Sequence, residues 1–290
     1  MPKKSVHYQK LLKKWTKKHQ NLQKEIFTKH KDAFEWLENN SKQLAVGSAA
    51  GLFLLTNPII PQIPATFSAA IANSQEVDKK VFLIYDLKSI LPEFVQPLTQ
   101  PQEKEIAQIL ERTFNIPVTA ELAGKRLNTS YGYIGQEQHL ARYPGDTMFS
   151  HFETLEEAEV YWEYGMAPGL GAWRYFADSK ESMSQEENLR EKYYIAVQTF
   201  LAPGFELNAK EYVDFFKYRK MLVVNPNNGK AIVTVIGDAG PAKWTGKSLG
   251  GSPEVMKYLE RVDGRQRGPV LYFFIDDPQN QIPLGPISYN

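Results

Sequence analysis

Two apolar strands joined by a tight turn constrain this chain more than any other feature. Met221 to Val224 is wholly apolar, and Lys230 to Ile236 (KAIVTVI) is rich in β-branched residues. Between them lies Asn225 to Gly229 (NPNNG), with residues that accept the backbone of a hairpin turn. The second strand runs into Gly237-Asp238-Ala239-Gly240-Pro241, which sets a carboxylate at a strand end beside a glycine turn. A glycine-containing loop with Trp244 and Lys247 follows. Then Ser252-Pro253-Glu254 reads as a helix start, with serine as the cap and proline in the first turn. Val270 to Ile275 supplies a closing strand.

Charge divides the chain into parts. The 290 residues hold 34 Lys+Arg and 33 Asp+Glu, a net charge of +1. That total excludes a strongly basic nucleic-acid binder, and no nucleic-acid partner is expected. Up to Lys42, however, eleven lysines face four acids, which is +7, so the remainder carries −6. No charged residue occurs from Gln43 to Gln75. Cysteine is absent, which excludes thiolate catalysis, zinc–cysteine sites, iron–sulfur clusters and disulfides. Five histidines in all argue against a multi-histidine metal site, so neither metal nor cofactor is expected.

The uncharged stretch opens with Leu44 to Ile63, about the twenty residues that cross a bilayer core. Gly47, Gly51, Pro58 and Pro61 weaken it as a span, and Leu44 to Leu55 has the length of a signal-peptide core. Lysines precede it and no such cluster follows. The positive-inside rule therefore predicts a cytoplasmic N-terminus and an extracytoplasmic body. The alternative is a buried core helix. Residues 1–42 have helical periodicity, with Leu11, Trp15, Leu22, Ile26 and Phe27 near one face. They read as a basic amphipathic segment that lies on the inner leaflet, orients the anchor or binds a partner. Residues 43–72 form the hydrophobic anchor or signal peptide, and 73–125 a small helical or mixed module. Within that module Gln102 to Phe114 is an amphipathic helix.

From Arg126 onward, glycines and aromatics interleave: YGYIG at Tyr131 to Gly135, and YWEYGMAPGLGAWRYF from Tyr161 to Phe176. Such residues either line a surface that stacks sugars or fill a β-rich core. Thr154 to Tyr164 and Met183 to Tyr194 read as helices, the first opened by a TLEE capping box.

Val223 to Pro241 (VVNPNNGKAIVTVIGDAGP) followed by Ser248 to Leu259 (SLGGSPEVMKYL) resembles the double-psi β-barrel of rare lipoprotein A-like lytic transglycosylases and of expansins. The resemblance covers about forty residues and extends loosely to the final strand. It implies a mainly β fold with added helices (α+β). A six-stranded double-psi barrel with elaborated insertions would occupy 126–290. It also implies a peptidoglycan or other polysaccharide partner, with Asp238 as acid/base in a sugar groove. The chain departs from the lytic members in three places. Ala239 stands where they carry arginine, Leu249-Gly250-Gly251-Ser252 lacks their aspartate, and their T-A-A-H segment is absent.

The chemistry suits one carboxylate. A glycosidic bond breaks when a proton reaches the leaving oxygen, and a carboxyl kept neutral by partial burial can deliver it. A hydrolase usually needs a second carboxylate; a lytic transglycosylase does not, because the sugar's own hydroxyl closes an anhydro ring. Candidate catalytic residues are thus Asp238, with His139 and Glu137 as accessory groups and Asp146 as another second carboxylate. Candidate substrate contacts are Trp244, Tyr131, Trp173, Lys247 and Ser252. Asp238 could instead only order its turn. A non-catalytic expansin-like wall-binding module and an envelope structural protein remain open alternatives.

Overall fold

The computed structural model describes residues 65–261 and 268–290. The basic segment 1–42 and the apolar stretch Leu44 to Ile63 lie outside the described residues. Among those described, no helix is long and apolar enough to cross a membrane. Two compact units divide between Ala72 and Asn73, and all the strands belong to the second.

Two helices come first, α1 (Ala65–Ile90) and α2 (Gln100–Phe114). α2 begins at a capping box in which Thr99 and Gln102 satisfy each other's backbone N–H groups. Short strands β1 (Val118–Thr119), β2 (Glu121–Leu122) and β3 (Lys125–Arg126) follow, then β4 (Tyr131–Gln136). A long excursion carries the short helices α3 (Met148–His151) and α4 (Leu155–Tyr161) and then α5 (Gln185–Lys192). The chain returns through β5 (Tyr194–Val197), α6 (Ala209–Phe216), β6 (Lys220–Val224), β7 (Ala231–Ala239), β8 (Leu249–Gly251), α7 (Pro253–Tyr258), β9 (Gly268–Ile275) and β10 (Gly285–Pro286).

Six strands close into a mixed barrel in the order β9-β4-β8-β5-β7-β6 and back to β9. The β4/β8 and β5/β7 pairs are parallel and the other four antiparallel. Closure removes the exposed edges that an open sheet of this size would carry. The α+β class and the barrel are therefore present. The hairpin that dominates the sequence is β6–β7, paired from Val224↔Ala231 to Lys220↔Val235. In its turn only Gly229 takes positive φ (73°), and the Asn225 and Asn228 side-chain oxygens accept backbone N–H groups two residues on.

Period-two alternation assigns the strand faces. Met221, Val223, Val270, Tyr272 and Phe274 join Ile134, Ile195, Ile232 and Leu249 in one buried cluster, to which all six barrel strands contribute. Their neighbours Leu222, Val224, Leu271, Phe273 and Ile275 point the other way. There they pack against Leu83 and Leu87 of α1 and Ile106, Leu110 and Phe114 of α2. Strands buried on both faces read as continuous apolar runs, which is the pattern seen in the sequence. Residues expected as a joining module over 73–125 thus cover one outer side of the barrel.

Two local readings change. The helix expected over Met183 to Tyr194 ends at Lys192, because Tyr194 already pairs with Val235. The expected glycine loop around Leu249 contains β8, wedged between β4 and β5.

Candidate functional site

Asp238 stands near the end of β7, half-buried, across from Ala196 of β5. Its Oδ1 accepts two backbone N–H groups, Ala172 at 2.6 Å and Ala239 at 2.7 Å. Gly171 precedes the donating amide, and a Cβ there would meet Leu140 Cδ1 at 3.1 Å and the Asp238 carboxyl carbon at an ordinary contact distance of 3.4 Å. Oδ2 accepts no hydrogen bond from the described residues. Burial pushes the carboxyl pKa above its ordinary value, and the two amides offset this only in part.

Ala196 also faces Gly250 of β8, so β7, β5 and β8 present Asp238, Ala196 and Gly250 in line on one face. Glu137, just after β4, lies over Gly250, where any side chain would meet its carboxylate. Strand spacing puts Glu137 about 10 Å from the Asp238 strand. Its Oε1 is 2.8 Å from Lys247 Nζ, which also donates to the Gln136 carbonyl at 3.2 Å. The loop between β7 and β8 is braced by Gln198, whose amide donates to the Pro241 and Lys247 carbonyls. That loop carries Trp244, which is 89% exposed.

The other expected contacts lie elsewhere. Tyr131 is buried against the α1–α2 layer. Trp173 is buried and donates its Nε1–H to the Ile236 carbonyl at 3.0 Å. Ser252 is fully buried; its Oγ accepts from Val255 N and donates to the Lys192 carbonyl. In the structure the two rings take packing positions and Ser252 a capping position, apart from exposed Trp244.

His139 belongs to a second group, with His151, Glu191 and Glu254. Its backbone is pinned by Gly165 and Ala167 in an isolated bridge to Met166, and its ring is fully buried. Around it stand His151 at the end of α3, Glu191 in the last turn of α5 and Glu254 in the first turn of α7. His139 Nδ1 lies 3.7 Å from Glu191 Oε1 and 4.0 Å from Glu254 Oε1. The His151 Nε2 is 3.3 Å from Glu191 Oε2, while its Nδ1 donates to Asp146 Oδ2 at 3.1 Å. Burial alone would lower the His151 pKa; Asp146 and Glu191 outweigh it and raise it to about 9. Asp146 would be raised by burial, but His151 and Arg142 hold it well below the ordinary carboxylate range. Burial, and then the Glu191 charge, push Glu254 upward. A cavity of about 420 Å³ opens onto this group, lined by Arg142, His151, Asn188, Glu191, Lys192 and Glu254.

Tyr194 stands within electrostatic reach of both groups. Its phenol is raised by burial and then by Glu191, Glu137, Asp238 and Glu254, and its hydroxyl donates to the Gln138 carbonyl. From the sequence Glu254 reads only as part of a helix start, and neither His151 nor Glu191 is a candidate site residue. They lie on three separate elements with no motif spacing between them, so only the fold assembles them. Comparison with protein families gives no match, and comparison with curated proteins gives none either.

Proposed function

We propose that this chain is an envelope protein acting on peptidoglycan glycan strands, a lytic transglycosylase-like enzyme with Asp238 as its single acid/base, on a double-psi form of the barrel. The observation that carries this reading is the asymmetry of the Asp238 carboxyl. One oxygen is pinned by two amides and the other is unpaired among the described residues, in a group whose pKa is raised. Held so, the neutral form carries its proton on Oδ2 and delivers it to a glycosidic oxygen. The carboxylate left behind then takes the proton of the sugar hydroxyl that closes the anhydro ring. Exposed Trp244, in the loop that follows β7, is the stacking platform. On this reading the apolar stretch Leu44 to Ile63 holds the body outside the membrane, with the lysine-rich head inside.

Purified sacculi test it. Wild type should release anhydro-muropeptides and Asp238→Asn should release none while staying folded; equal release by both would end the enzyme reading.

The exposure of Trp244 favours a second reading, an expansin-like module that binds the wall without cutting it. Wild type would then pellet with sacculi without releasing product, and Trp244→Ala would weaken the pelleting.

A further inference from the structure

We propose that His139, His151 and Glu191 bind one divalent transition-metal ion, Zn²⁺ by donor type, next to the cavity that His151 and Glu191 line. Nδ1 of His139, Nε2 of His151 and the Glu191 carboxylate converge from three elements, all buried, with one ligand atom from each residue lying within 4.8 Å of the others. Two of the nitrogen–oxygen separations, 3.7 and 4.0 Å, are too long for hydrogen bonds. Ligands bound tetrahedrally to zinc at its usual bond lengths sit about 3.3 Å apart, so the three side chains would draw in around the ion and leave a fourth position for water.

The orphaned atoms point the same way. Both ring nitrogens of fully buried His139 and Oε2 of Glu254 have no hydrogen-bond partner among the described residues. A buried polar atom left without a partner is destabilising. A cation between the rings and the carboxylates turns the Nδ1 lone pair and the neighbouring oxygens into ligands. The surroundings also match those of metal-bound residues. His151 donates its other nitrogen to Asp146, which Arg142 holds from Nε at 2.9 Å, and Glu191 Oε1 accepts the Leu140 N–H at 2.9 Å. Carboxylate-backed histidine of this kind keeps its proton on Nδ1, so that a cation displacing the Nε2 proton finds that nitrogen oriented to ligate. Imidazole donors select Zn²⁺ and its neighbours over Mg²⁺ and Ca²⁺, which take oxygen shells. Glu254 stands beside the ligands, and the cavity provides entry and room for an exchangeable water.

The full chain, stripped with chelator and titrated with Zn²⁺ by calorimetry, should bind one ion per chain. His151→Ala and Glu191→Gln should each weaken binding by about 100-fold or more. Asp238→Asn should leave it unchanged, which separates this site from the glycan chemistry. X-ray absorption on the zinc-loaded wild type needs no variant to fold, and should show two histidine nitrogens in the first shell. No stoichiometric binding, binding unaltered in both ligand variants, or fewer than two histidine nitrogens would overturn the proposal.

Discussion

Asp146 accepts a hydrogen bond from the imidazole of His151 at 3.1 Å while the same oxygen takes Arg142 Nε at 2.9 Å. One buried carboxylate thus neutralises a guanidinium and orients a histidine, and it ties α3 to the loop after β4. Asp146→Asn leaves Arg142 buried without its counter-charge. It should cost about 3–5 kcal/mol in denaturant unfolding. A loss under about 1 kcal/mol would mean that Arg142 finds another partner.

Leu87 of α1 is fully buried against the barrel's outer face. If the α1–α2 layer is part of the folding unit, Leu87→Ala should lower stability by about 2–5 kcal/mol in the same transition that reports the barrel. A separate early transition, or no change, would make 73–125 an independent module.

A methyl group at Gly250 would collide with the Glu137 carboxylate. Gly250→Ala should therefore cost about 1–2 kcal/mol by displacing Glu137 from Lys247. Removing the obstacle with Glu137→Ala should recover part of that loss. Strict additivity of the two changes in a double-mutant cycle would show that the side chains do not meet.

The same glycine separates what sequence reading saw from what it missed. The β6–β7 hairpin, the Ser252 cap and the Val270 strand were legible because β-branched runs, turn residues and capping pairs act locally. β8 was not. Gly250 and Gly251 have low strand propensity and are held there by pairing with Ile134 to Gln136 of β4 and Ile195 to Val197 of β5, residues distant in sequence. Asp238 was legible from its place at a strand end. The pinning amide of Ala172 comes from a loop 66 positions away. Aromatics mislead for a related reason: Trp244 is exposed, whereas Tyr131 and Trp173 are core, and composition alone does not separate these cases. The histidine–glutamate group carries no sequence signal, since five scattered histidines suggest nothing until the barrel's excursion folds back on it.

Asp277 gives a pH signature at the end of β9. Its carboxylate accepts Lys220 Nζ at 2.7 Å and the N–H groups of Gln281 and Ile282 at 2.8 Å. Burial would raise its pKa, but Lys220 and the two amides outweigh it and lower the value below 3.8. A carboxylate depressed in the folded state stabilises above its unfolded pKa, and that contribution disappears as pH falls through the folded value. Asp277→Asn should cost about 1–3 kcal/mol at neutral pH. The gap from wild type should narrow below pH 3.8. A pH-independent gap would assign the loss to packing.

The titration of Asp238 itself tests the proton-donor role most directly. Carbon-13 NMR of the carboxyl, assigned by its absence in Asp238→Asn, should give a midpoint above 3.8. Glycan release should then decline as pH rises through that midpoint, because the acid form is the donor. A midpoint at or below 3.8 would mean that the two amides outweigh burial, leaving Asp238 as a turn residue with no proton to give.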